Sequence, residues 1–142
     1  MARVDFYILN QAGQHSRQMF ACRLAEKAYR LENTVHIQTS SSGDADRLDE
    51  LLWTFRDGSF VPHQRITSAT DGQESPISIG SKGDPVKPRD LLINLCDEVP
   101  DFAATFPRVA ELVTSDDDCK QQSRKRFAAY RDQGHDLETH QI

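Results

Sequence analysis

The residues best suited to recognition chemistry lie near the end of the chain, in D-D-D-C-K-Q-Q-S-R-K-R-F-A-A-Y-R. At about 100° per residue in a helix, Lys120, Arg124 and Arg131 fall within about 60° of Phe127, and Tyr130 lies about 60° to the other side. One face then carries three cations around an aromatic ring. Pattern alone leaves two readings: a solvated basic face with Phe127 and Tyr130 as core anchors, or a dock for a short acidic peptide. Acidic neighbours (Asp116, Asp117, Asp118, Asp132) and a formal net charge of −5 argue against a surface that grips a nucleic-acid backbone. A second stretch, residues 46–63, reads D-R-L-D-E-L-L-W-T-F-R-D-G-S-F-V-P-H. Ala45, Leu48, Leu51, Leu52 and Phe55 share a helical stripe, while Trp53 falls about 140° from Leu48, among Asp46, Asp49 and Glu50. Trp53 therefore faces water, near Phe60 and Pro62 beyond the Gly58 break. An exposed aromatic cluster suits a protein-binding patch; the alternative is satellite core under a loop.

Catalytic and metal chemistry find less support. His135, His140, Asp136 and Glu138 suggest a metal site, but no second cluster completes four ligands, so residues 135–142 are expected as a polar, partly mobile tail. Cys22, Cys96 and Cys119 are far apart with no C-x-x-C pair, as for reduced thiols in a cytoplasmic protein. No Ser or Cys stands in a nucleophile elbow. A small nucleotide-binding α/β enzyme is the main alternative. It needs a glycine-rich loop so that the backbone can approach a phosphate, and neither N-Q-A-G-Q-H-S nor G-S-K-G-D has the spacing. No cofactor, metal or membrane span is expected.

The elements that must carry these residues alternate. Strands are expected over 4–9, 34–39, 76–79 (near an edge, because of Pro76), 90–96 and 109–114. Helices are expected from 15 or 16 to 31, from 46, and over 116–133 with Ser115 as N-cap, and a short helical turn over 100–106. The run D-L-L-I-N-L-C at 90–96 is the candidate central strand, buried on both faces. This order predicts a single 142-residue α/β domain of three layers, with a mostly parallel sheet and helices on both faces.

The D-x-L-D-x-x-L-W…S-F-V-P-H run resembles the signature of the chi subunit of bacterial DNA polymerase III. F-Y-I-L, R-D-L-L-I-N-L, D-F-A-A-T-F-P-R-V and C-K-Q-Q-S-R-K-R-F-A-A-Y-R-D-Q-G-H-D-L also resemble that family, in its order and across nearly the whole chain. The resemblance implies a non-catalytic accessory subunit of the clamp-loader assembly, with a nucleotide-binding-like fold that lacks the phosphate loop. It implies pairing with the psi subunit and binding of the acidic C-terminal tail of single-stranded DNA-binding protein, with no direct nucleic-acid contact. For the tail it implies Val113, Lys120, Arg124, Phe127, Arg131 and Thr139. For psi, with a helicase as alternative partner, it implies Trp53, Phe60, Pro62 and His63. Phe127 stands where many members have Tyr, so a hydroxyl is missing there.

Overall fold

Strand and helix alternate through the first four elements, as the pattern predicts, and every strand pairing among the described residues is parallel. The structure, a computed structural model, describes residues 2–58, 60–67 and 75–142. In chain order its elements are β1 (Arg3–Ile8), α1 (Gln14–Arg30), β2 (Val35–Thr39), α2 (Ser42–Thr54), β3 (His63–Arg65), β4 (Ile77–Ser81), β5 (Leu91–Asn94), a short 3-10 turn (Ala103–Thr105), β6 (Arg108–Val113), α3 (Asp117–Asp132) and β7 (Asp136–Gln141). They form one seven-stranded sheet in the order β3-β4-β2-β5-β6-β1-β7. As expected for 90–96, β5 is the middle strand and is buried along its length.

Alternation along the strands divides the core between two faces. Ile37, Ile79, Ile93 and Leu112 pack with Ala21, Cys22 and Ala25 of α1 and Leu48, Leu51 and Leu52 of α2. Val4, Phe6, Leu92 and Val109 point the other way, toward Tyr130 and Phe127 of α3 and Phe106 beside the 3-10 turn. This is the three-layer arrangement, with α1 and α2 on one face and α3 on the other. α2 begins earlier than its apolar stripe suggests, because Ser41 caps it by accepting the Asp44 N–H at 3.1 Å. Beyond the helix, Gly58 takes φ +75°, a left-handed turn that suits glycine.

Several expectations are corrected. The N-cap of α3 is Asp116, not Ser115, and its carboxylate does not cap α3. It accepts instead from the Gly13 N–H (2.9 Å) and the Thr114 hydroxyl (2.7 Å), which joins the start of α3 to the start of α1. β4 does lie near an edge, next to the edge strand β3, but Pro76 is not the reason: it precedes β4 and withdraws no donor from its ladder. The stretch expected as a mobile tail forms β7, parallel to β1 and on the sheet edge. Leu31, expected as the last residue of the first helix, lies past the last helical residue and is exposed. The composition of residues 67–74, with Gly, Ser and Asp clustered, predicts a loop, and most of that stretch lies outside the described residues.

Candidate functional site

α3 rests on β1, β6 and β7, and the line of contact leaves a groove along one flank. Parallel register sets Phe6 beside Thr139, and Ile8 beside both Val113 and Gln141. On α3, Lys120, Ser123, Arg124 and Phe127 follow helical spacing and line the opposite wall. The groove holds about 350 Å³. Phe127 is half-buried, its ring centroid 5.2 Å from that of Phe6, which closes the apolar end. Arg124 is exposed, and among the described residues neither Lys120 nor Arg124 makes an ion pair within the chain. The groove therefore offers two uncommitted cations beside an apolar slot.

Five of the six residues named for the tail thus meet: Val113, Lys120, Arg124, Phe127 and Thr139. Arg131 does not. It lies past the end of the groove, exposed, with its Nε 3.4 Å from Asp132 Oδ1. Phe6, Ile8, Ser123 and Gln141 were not named from sequence. The i, i+2 spacing of Phe6 and Ile8 on one strand face, and Ser123 between Lys120 and Phe127, carry a usable signal; Gln141 does not, once β7 is taken for a tail.

The inward stripe of α3 explains how the outward one is held. Glu111, fully buried on β6, accepts from Arg126 Nε (2.8 Å), Asn94 Nδ2 (2.7 Å) and the Tyr130 hydroxyl (2.6 Å). Burial, and then the Glu111 charge, push the Tyr130 hydroxyl far above its ordinary pKa, so it stays a donor. Of the five basic residues between 120 and 131, Arg126 is therefore a core cation, and the surface patch is smaller than its sequence suggests.

The Trp53 cluster also assembles. The Trp53 ring lies 5.5 Å from that of Phe60 and 4.6 Å from that of His63, and both Trp53 and Phe60 are exposed. Pro62 is half-buried between Phe60 and His63 in sequence. The His63 side chain is inaccessible beneath Trp53, with Nδ1 2.7 Å from the Val61 carbonyl and Nε2 3.1 Å from that of Asp49. His63 is thus the prop that tilts Trp53 outward, and the accessible surface belongs to Trp53 and Phe60.

The four tail residues weighed as metal ligands do not gather. His135 accepts the Ala2 N–H through Nδ1, away from His140. Glu138 and His140 instead approach Asp5, with His140 Nε2 2.9 Å from Asp5 Oδ1. Burial raises the Asp5 pKa, but hydrogen bonds from His140, Arg3 and Arg108 outweigh it and hold the carboxyl below the usual range. Two guanidinium groups already neutralise that carboxylate. Elsewhere, Cys22 is pushed up to about 12 by burial, which makes its thiol a poor nucleophile. No helix of the described residues is long and apolar enough to cross a membrane.

Comparison with known proteins bears on the whole chain. Residues 1–138 match the family model described as DNA polymerase III chi subunit, HolC. A DNA polymerase III subunit chi of Pseudomonas aeruginosa is 41% identical over 142 residues, covering 100% of this chain and 98% of the relative. The subunit chi of Haemophilus influenzae is 37% identical over 139 residues, covering 97% and 96%. That of Escherichia coli is 33% identical over 144 residues, covering 98% and 97%. These relatives are named as a subunit of the polymerase and not as an enzyme in their own right, in line with the non-enzymatic assignment that the motifs imply. The chain belongs to the chi subunit family of DNA polymerase III.

Proposed function

We propose that the chain is a non-catalytic adaptor of the clamp-loader assembly in the cytoplasm. Its groove takes the acidic C-terminal tail of single-stranded DNA-binding protein, and its Trp53 face takes the psi subunit, with a helicase as alternative partner there. The observation that carries this reading is the pairing of Lys120 and Arg124, cations without a partner among the described residues, with the Phe6–Phe127 slot. A peptide that ends in an aromatic residue presents a ring and a carboxylate a few bonds apart. The slot suits the ring, and the planar fork of Arg124 suits the carboxylate. Lys120 meets acidic side chains upstream and contributes mainly to encounter.

The two faces lie toward opposite edges of the sheet, with β3 beside the Trp53 cluster and β7 beside the groove. Six strand intervals of about 4.8 Å separate those edges by roughly 29 Å. That separation lets one domain hold both partners without overlap, which is what an adaptor requires. Direct grip on DNA fits poorly, because the one local basic stripe sits on a chain of net charge −5.

Calorimetric titration tests the reading, with an acidic peptide ending in Asp-Phe run beside the same peptide amidated at its C-terminus. Binding should need the free carboxylate, and Arg124→Ala should cost about 2 kcal/mol, or about thirtyfold in Kd. Equal binding of the two peptides, or an Arg124→Ala variant that binds as tightly as the parent, would remove the groove from the proposal.

A further inference from the structure

On the other flank of α3, two buried arginines share one cavity. Arg126 is 3% exposed; it donates Nε to Glu111 and Nη1 to the Asp97 carbonyl at 3.0 Å, and its Nη2 has no acceptor. Arg17, on the first turn of α1, is 5% exposed. It donates Nε to the Leu112 carbonyl at 2.9 Å and Nη1 to that of Leu95 at 3.1 Å. Among the described residues it pairs with no carboxylate. Burial, and next the Arg126 charge, lower its pKa. Both arginines line a cavity of about 300 Å³.

The place in the fold is telling. β1 and β6 are neighbours, yet β1 continues into α1 on one face of the sheet and β6 into α3 on the other. The two connections part at the carboxyl ends of these strands, the crevice where open parallel sheets hold their ligands. The starts of α1 and α3 both open onto it, with their positive ends inward. Asp116 already takes the Gly13 N–H at the start of α1. What is left over lies deeper, at the guanidinium groups.

We propose that this crevice is a binding site for a small oxyanion, a phosphate or carboxylate group, held by the guanidinium groups of Arg17 and Arg126. Asp97, Asp116 and Asp118 line the same cavity nearer to solvent. They select a group of low charge on a neutral or cationic body, and oppose a polyanion such as nucleic acid. The site is separate from the tail groove, which is lined by Lys120, Ser123 and Arg124 and shares no residue with it.

The test follows the arginine side-chain Nε–Hε signals by NMR during titration with inorganic phosphate, sodium acetate and sodium chloride at matched ionic strength. Signals of Arg17 and Arg126 should move and saturate with phosphate or acetate but not with chloride, and the tighter of the two identifies the source. Asp118→Asn, an exposed rim change that leaves the core alone, should tighten binding about threefold by removing a like charge. Arg126→Lys should abolish saturation; its melting curve reports whether the fold survives, and Asp118→Asn decides the matter if it does not. Shifts that follow chloride equally, that stay linear, or that ignore Asp118→Asn would overturn the site. Competition between phosphate and the acidic peptide would overturn its independence. Unchanged phosphate binding by Arg124→Ala, whatever that variant does to the peptide, would keep the two conclusions apart.

Discussion

Replacing Glu111 by Gln is the sharpest perturbation of the interior, because it keeps the shape and removes one charge. Glu111 is the counter-charge of Arg126, which is itself buried, and accepts from Tyr130 and Asn94 through its other oxygen. An amide in its place retains one acceptor oxygen and must aim its N–H groups at Arg126 or at the Tyr130 and Asn94 donors. Removing one partner of a buried ion pair costs about 3–5 kcal/mol, since the other charge stays in the interior. A domain of this length has a stability on the order of 10 kcal/mol. Glu111→Gln should therefore still fold, with Tm lower by about 15 °C at roughly 3–4 °C per kcal/mol.

Urea unfolding followed by circular dichroism measures the cost, and Arg126→Met completes a double-mutant cycle. With both charges gone, no buried ion is left alone, so the double variant should be more stable than the two single costs predict, by about 2 kcal/mol or more. Strict additivity, or a Glu111→Gln cost below about 1 kcal/mol, would refute the argument that the pair anchors α3. Peptide affinity of the folded fraction should stay close to that of the parent, because Arg124 and Phe127 occupy the other stripe of the helix. A variant that folded normally but lost the peptide would mean that the network sets the groove's shape and not the domain's stability.

Three further outcomes are expected. His36 is buried against Ser78 (2.7 Å) and Gln38 (2.9 Å), and burial lowers its pKa to about 4. Its unfolded value is about 6.5. The unfolded chain therefore takes up a proton between those values, so its stabilising contribution is full above about pH 6.5 and is lost as pH falls toward 4. At about 1.36 kcal/mol per unit, acid should remove roughly 3 kcal/mol over that window, and His36→Gln should flatten the slope; identical urea series for parent and variant would contradict this. Trp53→Ala or Phe60→Ala should weaken psi binding and spare the peptide, and equal loss of both by a folded Trp53→Ala would show that the two faces are one. Iodoacetamide on the native protein should label half-buried Cys119 before Cys22, whose thiol burial pushes up to about 12, with peptide mapping as the readout.

What could be read from the residues alone follows the range over which each signal acts. Alternation and helical stripes are local, and they marked most strands and all three helices, including β5 as the middle of the sheet. Pairing partners are not local. β7 carries D-L-E-T-H-Q, a polar sequence with little strand propensity, and it becomes a strand because β1 offers it a ladder and α3 covers one side. Taking it for a tail hid the groove's floor at Gln141. The same limit explains the basic residues of α3. Angle on a helical wheel separates Arg124 from Arg126 only once the core side is known, and Glu111, fifteen residues earlier on another element, is what makes Arg126 an interior cation. One helix thus carries charge on two faces with opposite uses. Inward, a carboxylate from the sheet holds the helix in place. Outward, Lys120 and Arg124 make no ion pair among the described residues and stay open to the acidic tail proposed above. That asymmetry is visible only after the strand that feeds α3 and the strand that follows it have been set side by side with β1.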